Sequence, residues 1–164
     1  MRDRPSALEK HNLKDVPRWA RLVATVGGAG YSPVGPGTMG ALCALPFAVA
    51  LGFTPVWVQL VVLVGISLLG WLAGEMICQK SPDQDPQIIV IDEFAGILLT
   101  FIAIEITWWT VPLGFVLFRF FDITKPFPVG YLDKNVKGGL GVMLDDLAAG
   151  AISLILLHVC VWLV

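Results

Sequence analysis

A chain of 164 residues with 56% hydrophobic and only 15% charged residues has too little charge to wet the surface of a soluble domain, since soluble chains average about 25% charged. Its mean hydropathy of +0.77 places it in the membrane class as one domain. A net charge of −2, with no basic run interleaved with aromatics, sets nucleic-acid binding aside. The cysteines Cys43, Cys78 and Cys160 are scattered, without a CxxC pair or a C-x5-R phosphatase loop, and read as small hydrophobes.

Met1 to Lys14 is polar and mixed in charge. It is expected to be disordered or loosely attached, and it lacks the apolar core and cleavage site of a signal peptide. Asp15 is placed to cap a short helix with Pro17 in its first turn. Trp19, Leu22, Val23 and Val26 share a face of that helix, which reads as interfacial or as a plain surface helix. Residues 1–21 are taken as a polar tail or interfacial segment, and 22–164 as one membrane-embedded domain.

Gly27 to Gly40, GGAGYSPVGPGTMG, is too dense in breakers for a regular helix and is expected to be a loop. Thr38 stands where a helix cap would. Gly37 and Thr38 are candidate substrate-binding residues, because glycine backbone at a helix N-terminus can cradle a phosphate. A connecting turn is the other reading, and neither the Walker pattern nor G-x-G-x-x-G is present.

Met39 to Thr54 is uncharged and short for a span, whereas Val56 to Gly74 is the clearest one, since about twenty apolar residues cross a bilayer core. Glu75 to Gln87 is polar and broken by Pro82 and Pro86. Ile88 to Ile104 is apolar except for Asp92 and Glu93. Glu105 to Pro112 is a turn whose Trp108 and Trp109 suit the headgroup level. Leu113 to Phe121 is brief unless Trp108 to Pro112 joins it. Asp122 to Gly141 is polar and rich in Gly and Pro, and Val142 to Val164 forms a full-length span with Asp145 and Asp146 near its start.

The eleven basic residues fall before Leu22, at Lys80, and from Arg119 to Lys137. Under the positive-inside rule this gives a cytoplasmic N-terminus and about five membrane-embedded segments, some short or re-entrant. The expected fold is an all-α polytopic helical bundle with its acids gathered at the cytoplasmic face.

Acids within membrane segments are costly and usually functional. Clustered carboxylates without a nearby histidine suit a hard cation such as Mg²⁺, held with waters and substrate phosphate. The candidate catalytic residues are Asp92, Glu93, Asp122, Asp145 and Asp146. Asp92, Glu93, Asp145 and Asp146 are also candidate metal ligands. Arg119 and Lys125 are placed to neutralise phosphate oxygens. His11 lies in the polar tail and His158 deep in the last span, which argues against a histidine nucleophile. No D-x-D-x-[TV] motif and no D-x2-D-G-x2-A-R pattern is present.

GAGYSPVGPGTMG, DPQIIVIDEFAG, FRFFDITKPFPVG and GGLGVMLDDLAAG, in that order, closely resemble the bacterial phosphatidylglycerophosphatase A family from about Leu22 to Val164. The resemblance implies removal of the terminal phosphate of phosphatidylglycerophosphate to give phosphatidylglycerol, with Mg²⁺, at the cytoplasmic (inner) membrane. It maps the family's acidic pairs onto Asp92, Glu93, Asp145 and Asp146, its F-D-x-x-K-P block onto Asp122 and Lys125, and its P-G-T block onto Pro36, Gly37 and Thr38. The partners implied are the phospholipid substrate and the membrane; an oligomer is not derivable. Hydrolysis by a metal-activated water is the first expectation, with an attacking aspartate such as Asp122 as the covalent alternative. The rival from another class is a cation-binding transport protein using the same carboxylate pairs.

Overall fold

The computed structural model describes residues 13–82 and 86–164; the expectations for residues 1–12 lie outside them. Among the described residues the structure is all-helical, without strands. After a 3-10 turn at Leu13–Asp15 come α1 (Arg18–Ala24), a second 3-10 turn at Val26–Tyr31, α2 (Pro36–Gly52), α3 (Val56–Cys78), α4 (Ile91–Thr100), α5 (Thr110–Thr124), α6 (Val129–Asn135) and α7 (Gly138–Leu163).

The bundle is built around α4. Nearly all of its side chains are buried, from Ile91 and Asp92 to Leu98 and Thr100, and it packs against α7, α2, α3 and α5. The 23 residues of α3 and 26 of α7 span about 34 and 39 Å at a helical rise of ~1.5 Å per residue. Both exceed the hydrocarbon thickness of about 30 Å. Only 22% and 28% of their most apolar windows are buried, so neither is the sheathed core helix of a soluble domain. Val61, Val64, Leu68 and Ile155 face outward, and contiguous apolar surface of that kind fits lipid.

Several element boundaries differ from the sequence expectation. Asp15 belongs to a 3-10 turn, and Pro17 is the N-cap of α1 rather than a member of its first turn. On α1 the small residues Ala20 and Ala24 face the core while Trp19 and Leu22 face out. The glycine-rich stretch runs through the second 3-10 turn to Tyr31 and is irregular only from Ser32 to Gly35, because Pro36 at the first helical position starts α2 inside it. Thr38 therefore lies in the first turn of α2, and Gly35, in the left-handed region at φ 54°, is the N-cap. The segment carrying Asp92 and Glu93 is helical for ten residues only, about 15 Å. The brief segment Leu113 to Phe121 is extended at both ends, by Thr110 to Pro112 and by Asp122 to Thr124, into the 15-residue α5, while Trp108 stays outside it. A short helix, α6, interrupts the polar stretch before α7, and α7 itself starts at Gly138, four residues earlier than its apolar run.

Uncharged polar contacts secure the end of the bundle away from the acids. Gln59 donates from Nε2 to the carbonyls of Leu51 (3.1 Å) and Thr54 (3.0 Å), and its Oε1 accepts the N–H of Ala103 at 2.9 Å. One buried amide so ties the turn after α2 to the turn after α4. At the acidic end, Glu75 near the close of α3 accepts the N–H of Gly139 at 2.9 Å. A carboxylate there satisfies a free amide and the positive end of the α7 dipole.

Candidate active site

Glycines decide which acids meet. Gly96 lies four residues after Asp92, and Gly150 lies four after Asp146; residues at that spacing share one helix face. The helices α4 and α7 touch backbone to backbone at these glycines. A Cβ on Gly150 would stand 2.5 Å from the Gly96 carbonyl oxygen, and one on Gly96 would stand 2.9 Å from the Asp146 carbonyl oxygen while striking the Phe118 ring. Close approach through small residues is how helices pack where water does not drive them together. One turn back along each helix, the contact places Asp92 opposite Asp146.

Asp92, Glu93 and Asp146 each offer a carboxylate oxygen within 4.8 Å of the others. Asp92 is 7% exposed and Asp146 3%. Asp92 Oδ1 and Glu93 Oε2 are buried without a hydrogen-bond partner. Three carboxylates this close and this dehydrated need a counter-charge, and an all-oxygen donor set matches a hard divalent cation such as Mg²⁺. Gly37, in the first turn of α2, lies against Glu93 so tightly that a Cβ there would overlap the carboxylate.

The cationic side comes from α5. Arg119 and Asp122, one turn apart, form an ion pair, and the Asp122 carboxylate also neighbours Asp146 and Glu93. Lys125 is the C-cap of α5 and takes a left-handed conformation at φ 44°. Its ammonium donates to Asp133 Oδ1 at 2.6 Å and to Asp145 Oδ2 at 2.8 Å. Burial works against that charge, but the hydrogen bonds and negative charges of Asp133 and Asp145 outweigh it and hold Lys125 above the usual lysine range. Lys125 stays cationic at any physiological pH.

These groups surround a cavity of about 570 Å³, within the usual size of a ligand pocket. Gly37, Asp92, Glu93, Arg119, Asp122, Lys125, Asp145 and Asp146 all line it, and Thr38 does not. Asp145, expected to join the metal ligands, lies outside the trio of carboxylates and faces Lys125. Adjacent helical residues diverge by about 100°; on α7 Asp146 turns to the trio and Asp145 to Lys125, whereas on α4 both Asp92 and Glu93 reach the trio. Gly30 and Gly40, also in the glycine-rich stretch, serve packing instead, since a Cβ on either would run into the backbone of Ile88 or Val90. That contact supports the entry to α4. Asp133 and Glu75 escaped the sequence reading. Asp133 is one acid among polar neighbours, but Glu75 ends a long uncharged run, which was a usable signal.

The sequence pattern of the family described as Phosphatidylglycerophosphatase A matches residues 22–161. A Phosphatidylglycerophosphatase A of Escherichia coli K12 is 41% identical over 151 residues, covering 88% of this chain and 84% of that protein. One from Haemophilus influenzae is 35% identical over 145 residues, covering 82% and 83%. A Bacteroides thetaiotaomicron protein named as a candidate phosphatidylinositol-3-phosphatase is 38% identical over 156 residues, covering 87% and 94%. No solved structure matches the chain. Identity of this degree over most of both partners settles the kinship: the chain belongs to the phosphatidylglycerophosphatase A family.

Proposed function

We propose that the protein hydrolyses the terminal phosphomonoester of phosphatidylglycerophosphate to phosphatidylglycerol, with Mg²⁺ held by Asp92, Glu93 and Asp146. The observation that carries this is the trio of carboxylates within 4.8 Å of one another, set in one cavity with Arg119 and Lys125. Bound there, Mg²⁺ would supply Lewis-acid polarisation of a phosphoryl oxygen and a lowered pKa for water. Arg119, oriented by Asp122, and Lys125, oriented by Asp133 and Asp145, offset negative charge on the non-bridging oxygens. Asp122 borders both the trio and the cavity and is placed to take the proton of the attacking water. Gly37 leaves room for the Glu93 carboxylate at the start of α2, where free N–H groups favour an anion. The mixture of acids and bases around one cavity, together with the names of the relatives, favours phosphate chemistry over a cation pathway.

In the membrane α3 and α7 cross fully, while α2, α4 and α5 are shorter embedded segments, making five in all. The turns after α2 and α4 carry no Lys or Arg, whereas Lys80, Lys125, Lys134 and Lys137 lie at the acidic end. That asymmetry supports a cavity on the cytoplasmic side of the inner membrane.

The test is phosphate release from phosphatidylglycerophosphate by detergent-purified protein, with Mg²⁺ and with EDTA, beside phosphatidylinositol 3-phosphate as a competing substrate. Release that stops in EDTA supports the proposal, and preference for the inositol lipid would replace the substrate while keeping the reaction. Loss of His158 provides a specificity control. Its Nδ1 lies 3.0 Å from the Leu154 carbonyl on the exposed side of α7, three turns beyond Asp146. His158→Ala is expected to leave the rate within about twofold of wild type, as for other surface changes.

A further inference from the structure

We propose that Lys134 and Lys137 form a second anion subsite at the rim of this cavity, taking the phosphodiester of the lipid while the carboxylate and Arg119 side takes the phosphomonoester. The inference rests on the proposed hydrolase activity and adds the basis of its selectivity. Among the described residues, four cations line the cavity: Arg119, Lys125, Lys134 and Lys137. Two of them are committed to carboxylates, Arg119 to Asp122 and Lys125 to Asp133 and Asp145. Among the described residues, Lys134 has no carboxylate partner, and Lys137 donates only to the Asp133 carbonyl, at 3.4 Å. Both are exposed, so they can meet a phosphate without first being stripped of water at great cost.

Their position is anchored rather than accidental. Asp133 stands beside Lys134 on α6, and its bond to Lys125 at 2.6 Å fastens that short helix to the active site. Lys137 follows as the N-cap of α7, where Glu75 already fixes the start of the helix. Among the described residues, two ammonium groups without a carboxylate partner therefore line a cavity that the buried Asp92 and Asp146 also line. Phosphatidylglycerophosphate carries two phosphates joined through one glycerol, a diester on the lipid side and a monoester at the tip. A site with separate anion positions holds both, and a lipid bearing a single phosphate fills only one.

The experiment compares wild type with the K134A/K137A double variant in neutral detergent with Mg²⁺ present. Calorimetric titration uses phosphatidylglycerol, which retains the diester alone, and inorganic phosphate, which stands for the monoester. Affinity for phosphatidylglycerol is expected to fall roughly tenfold, the scale of a lost charge-assisted contact, while phosphate affinity changes less than about twofold. KM for phosphatidylglycerophosphate should rise by a similar factor with a smaller change in kcat, and the Lys134→Arg, Lys137→Arg pair should restore it. Equal weakening toward both ligands, unchanged phosphatidylglycerol affinity, or lipid uptake with no single saturable site would overturn the proposal. Absence of phosphate release by wild type would sink the hydrolase reading, whereas the titration would still decide the subsite.

Discussion

Asp146→Asn is expected to slow phosphate release by at least about two orders of magnitude, the scale of losing a metal or acid–base contribution, and Asp92→Asn should do the same. Asparagine keeps the volume of aspartate but removes the charge and turns an amide donor toward the other two carboxylates of the trio. The site would then offer two charged ligands instead of three, so the variant should also need more Mg²⁺ to reach half of its residual rate. Folding should be little affected, because removing one of three crowded buried charges relieves repulsion. The measurements are kcat at saturating substrate, a Mg²⁺ titration and a melting curve. Near wild-type turnover in either variant would remove that residue from the site.

The second large effect comes from a residue without chemistry. Gly150→Val should abolish measurable turnover and lower the melting temperature as well. Its Cβ would lie 2.5 Å from the Gly96 carbonyl oxygen, and backbone cannot swing aside as a long side chain can. Overpacking of this kind costs about 1–3 kcal/mol. The functional loss is larger, because parting α4 from α7 also parts Asp92 from Asp146, and displacements near 1 Å can cost ~100-fold in rate. Gly65→Val is the contrast, since a Cβ at Gly65 meets nothing within 4 Å, and it should leave both activity and melting unchanged. A stable, active Gly150→Val protein would mean that the glycine contact does not set the distance between the acids.

The acids were legible from the sequence because a carboxylate at the edge of an apolar run is conspicuous in its own right. Which of Asp145 and Asp146 points at α4 was also written there, in the Asp-x3-Gly spacing shared by residues 92–96 and 146–150. Hydropathy alone does not separate the two, and the expectation that Asp145 is a metal ligand meets a carboxylate that faces Lys125. The long apolar helices α3 and α7 followed from hydropathy. The short elements did not, because α6 has only seven residues and its placement depends on the bridge from Asp133 to Lys125, a tertiary contact that no local pattern encodes. Gly30 and Gly40 lie in the stretch that also reads as a phosphate cradle, but their partners Ile88 and Val90 lie fifty or more residues away.

The cavity wall runs from Gly35 to Asp146, which has a bearing on biosynthesis. A ribosome has already released α2 through α6 before the helix bearing Asp146 emerges. Until then the Gly96 face of α4 lies bare, and the acids at its start lack the third member of their set. Pairings so distant along the chain form slowly, so catalytic competence arrives in one late step, when α7 docks, and a nascent chain arrested before that point would hold the fragments of a site but no site.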